Sequence, residues 1–255
     1  MRRVFITGAS SGIGAALAQA CARRGDQLAL IGRRADALDR VRESLPGTGH
    51  ACYVLDVRDR KALHAAALDF LDGGPVDVVI ACAGISVGTL TEELDDFGVF
   101  EAVIQTNLMA TVATFEPFIA AMKARRAGTL VGISSVAGVR GLPGAGAYSA
   151  SKAALRNYCE SLRVELHGSG IKVVTVAPGF IRTPMTAANP YRMPFLMPVA
   201  RFADRALRAI ERGDSYAIIP WQMGIVARLL RLVPNGLYDR VAARRKRKPR
   251  QNGKN

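Results

Sequence analysis

Short apolar runs alternate with segments of helical spacing along most of this 255-residue chain, and no other feature limits its possible folds as much. The runs that we interpret as strands are RRVFIT, DQLALIGRR, HACYVLDVRD, VDVVIACAG, GTLVGISS, IKVVTVAPG and DSYAIIP. Strands that are apolar throughout are typical of a parallel sheet that helices cover on both faces. We therefore predict one α/β domain built on a doubly wound parallel sheet of about seven strands.

A glycine-rich stretch, TGASSGIG, falls between the first predicted strand and the first predicted helix. Its glycines, Gly8, Gly12 and Gly14, would permit a tight turn and let a pyrophosphate approach the backbone amides at the helix N-terminus. The spacing is G-x-x-x-G-x-G rather than G-x-G-x-x-G. Its place between a buried strand and an amphipathic helix favours a Rossmann-like dinucleotide site over an ordinary turn.

The end of the second predicted strand bears on which dinucleotide binds. Chains that bind NAD usually carry an acid about 20 residues past the glycine loop, where it binds the ribose hydroxyls. Here that strand ends in Gly32, Arg33 and Arg34, with no acid. Guanidinium groups form charge-assisted, often bidentate hydrogen bonds with phosphate. The sequence therefore favours NADP(H) over NAD(H), with two solvated arginines as the alternative interpretation.

The stretch AYSASKAAL places Tyr148 and Lys152 four residues apart, which puts them on one face of a predicted helix. They could be an incidental polar pair. Alternatively, the lysine could lower the pKa of the phenol, so that the tyrosine exchanges a proton near neutral pH.

Cysteine and histidine spacing argues against a metal site. The four cysteines, Cys21, Cys52, Cys82 and Cys159, are scattered without a CxxC pair, and the three histidines are equally isolated. We therefore expect reduced thiols, no bound metal and a cytoplasmic protein. The N-terminal apolar run is too short for a signal peptide, and no segment reaches the roughly 18 apolar residues that cross a bilayer.

Positive charge is concentrated near the C-terminus. Between Arg228 and the end lie ten of the 35 lysines and arginines and one acid, Asp239, so this stretch carries +9 of the net charge of +14. An apolar helical stripe precedes the polybasic run: Ile225, Val226, Leu229, Leu230, Leu232 and Val233. Such a segment could pack on the body or a partner subunit, or lie on an anionic membrane surface. Nucleic-acid binding is less favoured, because the body is only mildly basic.

Together, TGASSGIG, AYSASKAAL and VAPGFIRTPM resemble the short-chain dehydrogenase/reductase family in order and spacing, over roughly Arg3 to Met185. The resemblance implies that Tyr148 is the catalytic acid or base and that Lys152 assists it. It selects Ser135, thirteen residues before the tyrosine, over Ser134 as the catalytic serine. It also implies that Asn107 anchors a water in a proton relay. Family members usually form dimers or tetramers through the helices that contain Asn107 and Tyr148, so we expect a homodimer or homotetramer.

The resemblance also extends the expected cofactor site beyond the glycine loop. The residues that we expect to contact NADP(H) are Gly8, Ser10, Ser11, Gly12, Ile13, Gly14, Arg33, Arg34, Asp56, Val57, Ala83, Gly84, Tyr148, Lys152, Pro178, Gly179, Ile181 and Thr183. One departure is ACAG, where the family usually has NNAG. Cys82 there replaces an asparagine that ties central strands together, which puts local stability in doubt more than the chemistry.

After Met185 the motifs stop. The segment TAANPYRMPFLMPVARF is rich in proline, methionine and phenylalanine, as a mobile lid over an apolar substrate would be, with an ordinary buried loop as the alternative. We predict a catalytic domain over residues 1–222. Residues 223–255 would form a C-terminal amphipathic helical extension with a basic tail, not a separate domain.

These features predict an NADP(H)-dependent oxidoreductase that interconverts a carbonyl and an alcohol on an apolar, lipid-like substrate. One alternative keeps the fold and uses NAD(H) as an alcohol dehydrogenase. The other is a non-catalytic NADP(H)-binding scaffold whose basic tail contacts a membrane or nucleic acid.

Overall fold

Nine strands and ten helices make up the part of the chain that the computed structural model describes, residues 1–187, 189–244 and 247–250. The strands are β1 (Arg3–Thr7), β2 (Gln27–Gly32), β3 (Ala51–Val54), β4 (Val78–Ala81), β5 (Gly128–Ile133), β6 (Ile171–Pro178), β7 (Ile181–Arg182), β8 (Met197–Pro198) and β9 (Tyr216–Ile219). The helices are α1 (Gly12–Ala22), α2 (Ala35–Glu43), α3 (Arg60–Asp72), α4 (Asp96–Ile104), α5 (Ala110–Ala124), α6 (Gly146–Glu165), α7 (Pro184–Ala187), α8 (Val199–Arg212), α9 (Trp221–Leu232) and α10 (Asn235–Ala242).

The main sheet has seven parallel strands in the order β3-β2-β1-β4-β5-β6-β9. The sequence-based prediction of a seven-stranded parallel α/β sheet is therefore confirmed. The strand order changes direction at β1: β2 and β3 follow on one side of it, and β4, β5, β6 and β9 follow on the other. In open α/β sheets, ligands bind at the carboxyl ends of the strands, at such a reversal.

Alternating residues of the strands build a core on each face of the sheet. Val4 and Ile6 of β1 pack in one apolar cluster with side chains of α1, α2 and α8. Phe5 points the other way, into a second cluster formed with α3, α5 and α6. Its ring centroid lies 4.9 Å from that of Phe118 and 6.2 Å from that of Phe70. Helices therefore cover both faces, as runs of wholly apolar strand residues require.

Two regions differ in detail from the pattern in the sequence. The predicted lid ends inside α8, where Phe202 is fully buried, while Phe195 is 51% exposed. The short strands β7 and β8, which the sequence did not indicate, pair with each other in that region. The boundary that we placed after residue 222 lies within α9.

Within the described ranges, no helix has both the length and the apolar character needed to span a bilayer.

Candidate active site

The glycine loop is shaped by contacts that leave no room for side chains. Gly8 has a φ of +70°, and a Cβ there would lie 2.8 Å from the Cα of Ala83. A Cβ on Gly14 would overlap the carbonyl oxygen of Gly8. The first turn of α1 contains no acid, and Ser11, its N-cap residue, makes no side-chain capping hydrogen bond. The loop thus forms a cradle with amide donors at a helix N-terminus, which fits the pyrophosphate of a dinucleotide.

Thr7 closes the base of this cradle. Its Oγ1 accepts hydrogen bonds from the backbone amides of Cys82 at 3.1 Å and Ala83 at 3.3 Å. The end of β1 is therefore tied to the residues that follow β4 through backbone amides, which do not depend on the side chain at position 82. The Cys82 thiol is half-buried, and burial raises its pKa to about 12, so this cysteine is a packed thiol rather than a reactive one.

Basic side chains border the cleft at the end of β2. Arg33 and Arg34 both line it, and Arg34 is the N-cap residue of α2. Asp56 lies opposite, where its carboxylate accepts a hydrogen bond from Arg58 at 2.7 Å and lies 3.8 Å from the guanidinium of Arg33. The hydrogen bond from Arg58 lowers the pKa of Asp56. Arg34 makes no ion pair with any described residue, so its charge remains available to an anionic group.

Tyr148 and Lys152 lie together near the start of α6. The Lys152 Nζ lies 5.9 Å from the centroid of the Tyr148 ring and donates a hydrogen bond of 2.8 Å to the carbonyl oxygen of Ile133. Lys152 is 5% exposed, and burial lowers its pKa to about 8. The ammonium is therefore fixed at the end of β5, close to the phenol.

We expected Lys152 to lower the pKa of Tyr148, but among the protein's own side chains it has no such effect. Burial raises the pKa of Tyr148, and only the hydrogen bond with Ser135 acts in the opposite direction. The lysine lies over the ring and is engaged by Ile133, so desolvation of the phenol dominates.

The two adjacent serines differ in their contacts. The hydroxyl of Ser134 donates to the backbone carbonyl of Lys152 at 2.8 Å, within the core. Ser135 lines the cleft and hydrogen-bonds the side chain of Tyr148. Ser134 also lines the cleft, but its hydroxyl is engaged by the backbone of Lys152. The choice of Ser135, which the family resemblance implies, stays a prediction.

Asn107 does not line the cleft but supports it from a π-helical turn, Gln105–Met109, between α4 and α5. Its side chain is fully buried, accepts a hydrogen bond from the Ile85 amide at 2.8 Å, and donates to the Ile85 carbonyl and the Ser151 hydroxyl, both at 3.0 Å. Both polar atoms of the amide hydrogen-bond the protein, and the backbone carbonyl of Asn107 accepts the Thr111 hydroxyl at 3.1 Å. The water that we expect at Asn107 stays a prediction. The residue fixes the loop after β4 against α6.

The glycine loop, the arginines at the end of β2, and Ser135, Tyr148 and Lys152 surround one cleft of about 590 Å³ at the carboxyl ends of the strands. It is lined by every residue that we expected to contact NADP(H), together with Ser135. Lining residues that sequence reasoning missed are Gly32, Leu55, Cys82, Ile85, Thr106, Ile133, Ser134, Pro184, Met185 and Thr186. Most of them lie next to a predicted motif in the sequence, so their adjacency to a motif could have identified them. Thr106 lies in the π-helical turn, which no sequence pattern indicated.

Comparison with known proteins agrees with this architecture. The sequence model of the short chain dehydrogenase family matches residues 2–192. An uncharacterized oxidoreductase of Myxococcus xanthus is 39% identical over 247 residues, which cover 95% of this chain and 97% of that protein. The cis-4-hydroxycyclohexanecarboxylate dehydrogenase of Sinomonas cyclohexanicum is 34% identical over 224 residues, which cover 86% of this chain and 88% of that protein.

A solved structure extends the likeness to three dimensions. The alcohol dehydrogenase of the archaeon Thermococcus sibiricus, complexed with 5-hydroxy-NADP, matches with a TM-score of 0.76 and 28% identity, over 86% of this chain and 96% of that one. The glycine cradle, the parallel sheet and the family match over three quarters of the chain have one explanation: the protein belongs to the short-chain dehydrogenase family and is an alcohol/carbonyl oxidoreductase that uses NAD(P).

Proposed function

We propose that the protein reduces a carbonyl to an alcohol with NADPH, or runs the reverse reaction with NADP⁺, and that Tyr148 transfers the proton. One observation carries this proposal: Ser135, Tyr148 and Lys152 converge on the cleft whose floor is the glycine cradle. A scaffold that only bound the nucleotide would have no need of all three side chains.

The proposed binding roles follow the position of each residue in the cleft. The glycine loop and the N-terminus of α1 would hold the pyrophosphate, and Asp56 and Val57 would contact the adenine. The nicotinamide would lie near Tyr148 and Lys152, with its carboxamide held by the turn after β6: Pro178, Gly179, Ile181 and Thr183. When bound, NADP(H) supplies or accepts the hydride.

In the reduction, Tyr148 donates its phenolic proton to the carbonyl oxygen, where negative charge develops. Ser135 hydrogen-bonds the same oxygen and holds it in place. Lys152 has a pKa of about 8, so its ammonium and amine forms are both populated near neutral pH, which suits a group that resupplies a proton. Asn107 positions the loop after β4, and we expect it to anchor a water in the relay.

The preference for NADP(H) over NAD(H) rests on Arg33 and Arg34. Both guanidinium groups lie at the end of β2, and the nearest acid in the cleft, Asp56, is engaged by Arg58. A 2′-phosphate would therefore meet positive charge there. The archaeal structure neighbour was solved with an NADP analogue, which supports the same choice. An NAD-dependent alcohol dehydrogenase is the rival, and the ratio of kcat/KM for NADPH and NADH discriminates between the two.

We propose an apolar body for the substrate, with lipid-like compounds included. Ile85 and Met185 line the cleft, and the rings of Phe180 and Tyr191 lie 6.4 Å apart beside it. The Sinomonas relative is named for a compound that carries a hydroxyl and a carboxylate on a cyclohexane ring. Suitable probes are therefore 4-oxocyclohexanecarboxylate and its neutral methyl ester.

A direct experiment is NADPH oxidation with these two probes, preceded by calorimetric titration of NADPH and NADH. Turnover of at least one probe together with tighter NADPH binding supports the proposal. Tight NADPH binding without turnover of these or other apolar ketones would favour the scaffold.

We further propose that residues 1–222 form the catalytic domain, which holds the cofactor site and the catalytic side chains, that the protein is cytoplasmic, and that helices α9 and α10 of the extension lie against an anionic membrane surface. Apolar side chains at helical spacing are exposed on each of the two helices: Trp221, Ile225, Leu229 and Leu232 on α9, and Leu237 and Val241 on α10. Arg228, Arg231 and Arg240 lie among them, which suits anionic headgroups. Co-sedimentation with phosphatidylglycerol vesicles but not phosphatidylcholine vesicles, abolished in Leu229→Glu/Leu232→Glu, tests this surface.

A homodimer or homotetramer is also proposed. Apolar side chains are exposed around α4, α5 and α6, where Phe97 is 73% exposed and Met109 50% exposed. Burying them between subunits would remove apolar surface from water. Light scattering of the purified protein distinguishes these assemblies from a monomer.

A further inference from the structure

The end of the described chain returns to the catalytic site. Residues 247–250, which we call the C-terminal strap, lie across the loop that follows β4. The amide of Gly88 donates a hydrogen bond of 2.9 Å to the carbonyl of Pro249, and Gly88 pairs with Arg250 in a parallel bridge. A Cβ on Gly88 would overlap the carbonyl oxygen of Lys248. The strap therefore packs closely on the same loop that Asn107 holds.

An ion pair anchors the strap. The Nε of Arg250 donates to Oδ2 of Asp96 at 2.8 Å, and its Nη1 lies 3.1 Å from Oε1 of Glu93. The Asp96 side chain is 3% exposed and that of Arg250 is 19% exposed, so water screens this contact little. The same carboxylate oxygen also accepts the Leu90 amide at 2.8 Å, which links the strap to the start of α4.

This anchor places Lys248 beside the catalytic tyrosine. The Lys248 Nζ donates to the Ser86 hydroxyl at 2.6 Å and lies 5.8 Å from the centroid of the Tyr148 ring. Ser86 follows Ile85, which lines the cleft. Lys248 is half-buried, and burial lowers its pKa to about 8. No described carboxylate lies within ion-pair distance of its ammonium.

We propose that Lys248, together with Ser86, binds a carboxylate carried by the substrate and so makes the enzyme select keto or hydroxy acids over their neutral analogues. This inference rests on the proposed carbonyl–alcohol function. A half-buried ammonium that lacks a counter-charge gains a charge-assisted hydrogen bond when a carboxylate enters. One ammonium and one hydroxyl suit a monoanion. The apolar lining would then hold the body of the substrate, and its acid group would point toward the strap.

The test compares kcat/KM for 4-oxocyclohexanecarboxylate and its methyl ester in the full-length wild type, Lys248→Met and Lys248→Arg. We expect the wild type to prefer the acid and Lys248→Met to lose about tenfold or more of that preference, because hydrogen bonds to charged groups contribute about 1.5–3 kcal/mol. Lys248→Arg should keep most of it. Ester reduction should change little in all three, which shows that the variants fold and that Tyr148 still acts. Equal acid-to-ester ratios in the wild type and Lys248→Met would overturn the inference.

A binding measurement separates failure of this inference from failure of the proposed function. Calorimetry with cyclohexanecarboxylate on the NADP⁺-loaded protein needs no turnover. Binding by the wild type but not by Lys248→Met supports the carboxylate subsite, even if neither probe is reduced and the proposed reaction fails. An absence of binding to the wild type overturns the subsite, whether or not the ester is reduced.

Discussion

Ser134 and Lys152 are joined by a hydrogen bond in which the serine hydroxyl donates to the backbone carbonyl of the lysine at 2.8 Å. This bond ties the end of β5 to α6, one residue before the serine that hydrogen-bonds Tyr148. Ser135 in turn accepts the Ala137 amide at 3.1 Å, which orients its hydroxyl in the cleft. Of two adjacent serines, Ser134 therefore joins β5 to α6 and Ser135 contacts Tyr148, so substituting each one in turn can distinguish the two roles.

Replacing Ser135 by alanine should lower kcat by about 100-fold or more, because it removes a hydrogen bond to the oxygen on which charge develops. The matched variant Ser134→Ala should instead lower the free energy of unfolding by about 1 kcal/mol and leave kcat within a few fold. Steady-state kinetics and urea denaturation of both variants check this. Equal losses of kcat in the two would mean that the serines do not divide the work in this way.

A glycine in the cofactor cradle should not tolerate even a methyl group. Gly8→Ala places a Cβ against the backbone of Ala83 in a left-handed conformation that alone costs roughly 1–2 kcal/mol. We expect a lower melting temperature and loss of NADPH binding by calorimetry. Gly236→Ala is the control, since no atom of the described residues lies within 4 Å of its Cβ position in α10, and it should be neutral or stabilising. Normal NADPH affinity in Gly8→Ala would show that the cradle does not hold the pyrophosphate.

The arginines at the end of β2 should set the cofactor preference. Arg33→Ala/Arg34→Ala should weaken NADPH binding by about 10- to 100-fold, as expected for lost hydrogen bonds to a charged group, and leave NADH binding nearly unchanged. Arg40→Ala is a control, because Arg40 is exposed and, among the described residues, pairs with Asp36 alone, one turn earlier. A double variant that still prefers NADPH as the wild type does would rule out this phosphate site.

The preference for an acidic substrate should depend on pH through Lys248. The carboxylate probe stays ionised, and binding it needs the ammonium, so the acid-to-ester ratio of kcat/KM should be highest below about pH 8 and fall as the pH rises through that value. The charged or titratable groups around Lys248 are Tyr148 and Lys152 on α6, Glu93 and Asp96 before and at the start of α4, and Arg247 and Arg250 on the strap.

The ratio isolates Lys248 from these groups. Titration of Tyr148 or Lys152 changes kcat/KM for both probes, so its effect cancels in the acid-to-ester ratio. The arginines stay protonated over the whole pH range. In Lys248→Arg the ratio should stay constant over the same range, because arginine keeps its charge. A pH-dependent ratio that persists in this variant would assign the effect to another group.

The sequence predicted the parallel sheet, and its motifs indicated side chains that line the cleft, because both depend on local patterns. The strands are continuous apolar runs, and Ser135, Tyr148 and Lys152 lie within short motifs of fixed spacing. Features that depend on distant contacts could not be read in this way. Asp96 and Arg250 are 154 residues apart, and only folding brings them together.

Two other features of the site depend on its three-dimensional surroundings. The π-helical turn that directs Asn107 toward Ile85 leaves no mark in residue type or periodicity. The direction of the Tyr148 pKa shift depends on a balance between burial and hydrogen bonding, which sequence alone does not give. The motif led us to Tyr148, whose electrostatic environment differs from the expected one.

Proton transfer by Tyr148 is the central claim, and the most direct measurement is single-turnover oxidation of NADPH by Tyr148→Phe with 4-oxocyclohexanecarboxylate or its ester, whichever the wild type reduces. Calorimetry on the same sample must first show that NADPH binds within a few fold of the wild-type affinity. We predict a rate at least 100-fold below that of the wild type, because general acid catalysis contributes about 10²–10⁴. A near-normal rate with NADPH bound at wild-type affinity would show that Tyr148 does not transfer the proton.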